Sequence, residues 1–192
     1  MNIFERAKNI LITPGKEWSV IENEDANSSH VLTYLLLLAL IPAICSLIGF
    51  GFIGYNVLGV RVGTMSWGIN QAIITYLSMV GGVYLSAFVI DFLASKFEAT
   101  SSFNVAFKLV AYSYTPMCVA GIFYLFPALS VLVPIGGLYG LYILYTGMKP
   151  MLKVSNEKHM TYFIVSLICI IVVSAVLGAI LGVIFATNAL AY

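Results

Sequence analysis

Apolar residues run through this chain in five long blocks, separated by short polar stretches. The blocks cover roughly residues 31–53, 68–94, 105–126, 128–147 and 160–187. Each meets or approaches the about 20 apolar residues that a helix needs to cross a hydrocarbon core of about 30 Å. The pattern therefore predicts an all-α membrane protein, a five-span helical bundle. Only Phe126-Pro127 interrupts the third and fourth blocks, so those two helices are expected to be antiparallel neighbours joined by a tight turn.

Ahead of the first block the periodicity changes. Ile3, Phe4, Ala7, Ile10 and Leu11 share one helical face, and Glu5, Arg6, Lys8 and Asn9 share the other. That is the pattern of a short amphipathic helix in the membrane interface. Thr13-Pro14 reads as an N-cap with proline at the first helical position, opening a second short helix with Trp18 and Ile21 on its apolar side. Glu22, Glu24, Asp25 and Asn27-Ser-Ser29 read as a solvated linker. The chain thus divides into a cytoplasmic amphipathic segment, residues 1–30, and a transmembrane domain, residues 31–192. The segment serves as an anchor or, in the sharper reading, as a docking surface. No basic stretch followed by a short apolar core opens the chain, so the first span is expected to act as a retained insertion signal.

Sidedness follows from the basic residues. Arg6, Lys8, Lys16, Lys96, Lys108, Lys149, Lys153 and Lys158 all fall on one side of the five spans, and Arg61 alone falls on the other. Lys/Arg excess marks the cytoplasmic side, which puts the N-terminus in and the C-terminus out.

Composition narrows the function classes. The 192 residues are 61% hydrophobic and 9% charged, against about 25% charged in a soluble domain, so lipid must solvate much of the surface. A net charge of +1 offers nothing to nucleic acid. Cys45, Cys118 and Cys169 lie in three different apolar blocks, which suits packing and not a disulfide or metal site. No metalloprotease helix, nucleophile elbow or phosphate loop occurs. No catalytic residue, cofactor or metal is expected, and the chain is read as no enzyme.

The candidate functional residues cluster in the third and fourth spans. Pro116 would free the Tyr112 carbonyl and Pro134 that of Ser130, either to kink a bundle or to break helices along a substrate path. Gly136 and Gly137 follow Pro134. Tyr139, Tyr142 and Tyr145 recur at helical spacing and are expected to hydrogen-bond toward the kinked third span, with a polar permeation stripe as the other reading. Small residues repeat every four positions at Ser78/Gly82/Ser86, Gly136/Gly140 and Gly178/Gly182, and would let helices approach closely. Packing within one chain is the first expectation; a homodimer face on the last span is the alternative. Asp91, the acid nearest a membrane interior, could pair with Lys96 or Lys108, reach headgroups, or hold a proton or cation. His30 and His159 read as interfacial. Lys149 and Lys153 form a basic loop with Lys158.

Tyr112-Ser-Tyr-Thr-Pro116, Gly121-Ile-Phe, Leu138-Tyr-Gly-Leu-Tyr-Ile-Leu-Tyr-Thr-Gly147, Pro150 and Lys153 together resemble the Yip-domain (Ypt/Rab-interacting protein) family of multi-pass membrane proteins. Ser102-Phe103, Glu157-Lys158, Tyr162 and the early Pro14 and Trp18 are similar to its bacterial branch. The resemblance implies five spans, a cytoplasmic N-terminus and a bacterial inner (plasma) membrane location. Eukaryotic members are linked to Rab GTPases, a role that bacteria lack and that is not carried over.

The functional expectation is a non-enzymatic protein with a membrane-organising or protein/lipid-interaction role. Its partners would be membrane lipids, a second copy of itself, or an unidentified membrane or cytoplasmic protein. The alternative is a small transporter or channel with a path along the kinked third and fourth spans. A transporter should hold a polar cavity near the midplane; an organiser should hide its polar groups and present an apolar or basic outer patch.

Overall fold

The computed structural model describes residues 2–24, 28–57 and 60–189, with side chains of residues 28, 55–57, 60–62 and 184–189 left aside. Two short helices, α1 (Ile3–Ile12) and α2 (Pro14–Glu22), precede α3 (Ser28–Ser46). The first span ends in a widened π-type turn at Leu47–Ile53. A two-stranded antiparallel hairpin follows, β1 (Tyr55–Val57) and β2 (Val60–Val62), with Tyr55 opposite Val62. Next come α4 (Met65–Ala94), α5 (Phe103–Ser113), α6 (Thr115–Ala120), α7 (Val133–Leu152) and α8 (Asn156–Ala189).

Five helical segments are long and apolar enough to cross a membrane: Ser29–Ile53, Met65–Phe97, Phe103–Leu125, Pro127–Leu152 and Asn156–Val183. They match the five blocks of the sequence. The third is the central one, with 67% of its most apolar window buried, and the fifth is peripheral, at 6%.

Local chemistry sets the ends. The Asn2 side chain accepts from the Phe4 N–H at the start of α1, and Thr64 Oγ1 accepts from the Trp67 N–H at the start of α4. Between the third and fourth spans the chain tightens into two 3₁₀ segments, Gly121–Leu125 and Pro127–Leu132, with Phe126 extended between them. That is the turn expected at Phe126-Pro127.

Close backbone contact joins the third and fourth spans. A Cβ on Gly136 would lie 2.7 Å from the Pro116 carbonyl oxygen, and one on Gly140 would lie 2.6 Å from that of Ser113. The Gly136/Gly140 stripe is therefore used within the chain, as expected. Gly82, in the stripe on the second span, faces the Tyr114 hydroxyl, 3.4 Å from an added Cβ, whereas Gly178 and Gly182 on α8 meet nothing within 4 Å.

Candidate functional site

The polar chemistry of the molecule gathers where α1 and α2 dock on the third and fourth spans. Trp18 is 1% exposed, and its Nε1 donates to the Ile143 carbonyl at 3.1 Å. Gly147 makes room for it: a Cβ there would stand 2.4 Å from Trp18 Cε2. Arg6 is 4% exposed. Its Nη1 lies 2.6 Å from Glu17 Oε1, its Nη2 bonds Glu24 Oε1, and its guanidinium sits 5.4 Å from the centre of the Tyr112 ring. Lys108 is 3% exposed, and its Nζ donates to the main-chain carbonyls of Ile21, at 3.1 Å, and Glu24, at 2.9 Å. A cation thus sits at the C-terminal end of α2, where helix carbonyls lack partners.

This corrects one expectation. Arg6 and Lys108 were counted in a basic cytoplasmic face and Glu24 in a solvated linker. Arg6 and Lys108 are instead buried and, with Glu17 and Glu24, join the N-terminal helices to the third span. Lys149 and Lys153 remain exposed at the end of α7, with Lys153 in a left-handed backbone conformation (φ 50°), and Lys158 pairs with Glu98 at 2.6 Å.

Tyr112 is the hub. Its ring meets Tyr34 edge-on at 4.9 Å and Trp18 at 6.4 Å. Its carbonyl, which Pro116 deprives of a helical N–H, receives the Thr115 hydroxyl at 2.7 Å. The Tyr34 hydroxyl lies 2.7 Å from Thr115 Oγ1 and is left as the donor, because the Thr115 proton is already committed. The proline break is therefore satisfied by side chains from the first and third spans. Pro134 behaves differently. It stands in the first turn of α7, where a missing N–H costs nothing, and the Ser130 carbonyl accepts the Val133 N–H. It begins a helix and breaks none.

The tyrosine expectation also needs correction. Tyr139 donates to the Leu11 carbonyl of α1 at 2.7 Å, not to the third span, and stacks on Tyr142 at 5.8 Å. Tyr145 stacks on His159 at 4.3 Å, and His159 Nε2 donates to the Tyr145 carbonyl at 3.0 Å. Tyr139 and Tyr142 are partly exposed, as aromatic residues of a membrane belt are. From Pro127 to Tyr142 the fourth span rises about 27 Å, at about 2.0 Å per residue in its 3₁₀ part and about 1.5 Å in α7. That matches a hydrocarbon core of about 30 Å. The belt therefore marks one membrane boundary at the level of α1, whose Phe4 is 76% exposed. The interfacial reading of α1 fits this placement.

Asp91 stands apart from this cluster. It is half-buried near the end of α4, with no ion pair among the described residues. The expected pairing with Lys108 is excluded by the engagement of Lys108 with α2.

Two adjoining cavities lie between the spans. One, about 320 Å³, is lined by Gln71, Thr75, Ser78, Tyr114, Tyr124 and Ser174 among others. The other, about 420 Å³, is lined by apolar residues of the third, fourth and fifth spans together with Ser86, Ser113 and Tyr114. Tyr114, Met117 and Ser174 border both. Pro134, Gly137 and Gly140 line the larger cavity, while Pro116 and Gly136 are spent in helix contact. Sequence reasoning missed the second span as a wall. Its signal was present, since Gln71, Thr75, Ser78, Gly82 and Ser86 recur at three- and four-residue steps.

A five-span bundle with an interfacial N-terminal helix pair defines a small multi-pass membrane protein. The Yip1 domain family matches residues 8–190, and the chain belongs to that family. It is similar to the "Inner membrane protein YohC" of Escherichia coli strain K12, 30% identical over 155 residues that make up 78% of this chain and 80% of the relative. The protein of the same name from an Escherichia coli O6:H1 strain matches to the same extent. The inner-membrane location implied by the resemblance agrees with those names. No solved structure matches this chain.

Proposed function

We propose that the chain is a non-enzymatic, membrane-organising protein, oriented with its N-terminus in the cytoplasm, that works through contacts with lipids and other membrane or cytoplasmic proteins, including copies of itself. One observation carries the reading. Among the described residues no Asp, Glu, Lys, Arg or His lines either cavity, and the ionisable groups Arg6, Glu17, Glu24 and Lys108 are consumed in holding α1 and α2 in place. A pump or ion-coupled carrier needs titratable or charged groups along its path. A protein that works by contact needs a stable body and an outer surface. The outer surface here includes the exposed apolar side of α8, from Ile164 to Val183, and the exposed Lys149 and Lys153.

The transporter alternative draws support from the smaller, partly polar cavity. Its path would then run between the second, third and fifth spans and not along the third and fourth. Reconstitution separates the two. Proteoliposomes holding the full chain should show no cation or proton flux above empty vesicles, with Asp91→Asn behaving like the unaltered protein. Two differently tagged copies should be recovered together from the same membranes. Flux that Asp91→Asn abolishes would overturn the organiser reading.

A further inference from the structure

We propose that the cavity between the second, third, fourth and fifth spans is a binding site for one acyl chain of a membrane lipid, with the Ser86 hydroxyl meeting the chain's carbonyl or hydroxyl group.

Ser86 is 2% exposed, borders the cavity, and makes no well-formed hydrogen bond among the described residues. The Tyr114 hydroxyl is its polar neighbour on the cavity wall. Serine in a membrane helix ordinarily returns its proton to the carbonyl four residues back, as Ser113 does to Leu109 at 2.8 Å. An orphaned buried hydroxyl costs about 1–3 kcal/mol, so a hydroxyl left open toward a cavity calls for a partner from outside the chain. A second orphan lies on the facing helix. The Tyr162 hydroxyl of α8 donates to the Ile90 carbonyl of α4 at 2.5 Å, and one turn further along both antiparallel helices stand Ser86 and Ser166, each without a well-formed hydrogen bond among the described residues.

Shape and chemistry select the occupant. At about 30 Å³ per water-sized group, a cavity of about 420 Å³ holds about 14 such groups, close to one acyl chain. The remaining lining is apolar apart from a few hydroxyls, with Val110, Met117, Leu138, Leu141, Leu144 and Ile170 among its apolar residues. With no Asp, Glu, Lys, Arg or His in the wall among the described residues, a charged headgroup would be unpaired there and must stay outside. The site therefore reads the chain and its first oxygen, not the headgroup. Gly137 keeps the space open, since its Cβ position meets only Met117 Sδ at 3.7 Å. The proposal does not depend on self-association.

The test is photolabelling of the full chain in vesicles of phosphatidylethanolamine and phosphatidylglycerol, with diazirine placed on the acyl chain of either lipid and the labelled residues mapped by mass spectrometry. The expected result is label on inward-facing Val110, Met117, Leu141 and Leu144, to a similar extent with both headgroups. Gly137→Leu should fill the cavity and cut that label at least tenfold, while label on the outward-facing Phe88 and Val131 persists as an internal control. Ser86→Ala should lower inward label several-fold, and Ser86→Thr should restore it. Should Gly137→Leu fail to fold, competition by unlabelled lipid decides, because a site saturates and surface contact does not. Inward label no stronger than outward label, label indifferent to both substitutions, or a tenfold headgroup preference would each overturn the proposal.

Discussion

The Trp18 indole donates a 3.1 Å hydrogen bond to the Ile143 carbonyl, which ties α2 to the middle of α7. The bond runs beside Gly147, where an added Cβ would meet Trp18 Cε2 at 2.4 Å and Leu109 Cδ1 at 2.7 Å. Gly147→Ala should therefore expel the indole. In a Trp67→Phe background, the emission of Trp18 should shift to the red and the N-terminal helices should become cleavable by added protease. Trp18→Ala should do the same and lower stability by about 3–5 kcal/mol, as truncating a buried aromatic does. Unchanged protection in both variants would mean that the docking rests elsewhere.

The Arg6–Glu17 pair lies buried, and removing one member leaves the other charge unpaired. Such a loss costs about 3–5 kcal/mol. Arg6→Met alone should destabilise the chain strongly in denaturant titrations in detergent. Removing the charges together, in Arg6→Met with Glu17→Met, should recover most of the loss, with a residue from Glu24, which is the more exposed partner. A double variant as unstable as the single one would contradict a buried, coupled pair.

Thr115 hands its proton to the carbonyl freed by Pro116 and receives one from Tyr34. Thr115→Val removes both bonds while keeping the shape, at a cost of about 1–3 kcal/mol for an unsatisfied buried carbonyl. Tyr34→Phe removes only the outer bond and should cost about 0.5–1.5 kcal/mol. Thermal unfolding in the same detergent should rank Thr115→Val below Tyr34→Phe; the reverse order would refute the direction assigned to the relay.

Asp91 makes no ion pair among the described residues. Asp91→Asn should leave thermal stability within about 0.5 kcal/mol, the range of substitutions that break no buried contact. A loss above about 2 kcal/mol would reveal a structural role for its charge.

Much of the architecture was legible in the chain. Length and hydropathy alone separate the five spans, because a bilayer imposes one thickness on all of them and forbids unpaired backbone within it. The turn at Phe126-Pro127 was legible for the same reason: two spans with no polar residues between them leave room only for a tight reversal. The use of Gly136 and Gly140 in helix contact followed from their spacing. The amphipathic face of α1 was legible too, although only the fold showed that Arg6 turns inward.

What the tertiary structure decided is where each polar group finds its partner. Arg6, Lys108, Glu17 and Glu24 look like surface charges in sequence, since local periodicity records the face of a helix but not what covers that face. Their partners lie on other helices: Tyr112 of the third span for Arg6, and the end of α2 for Lys108. The tyrosines were assigned to the wrong neighbour on the same ground. The cavity beside Ser86 is a further case: an empty space belongs to no single segment, and it arises only where four helices fail to fill the volume between them.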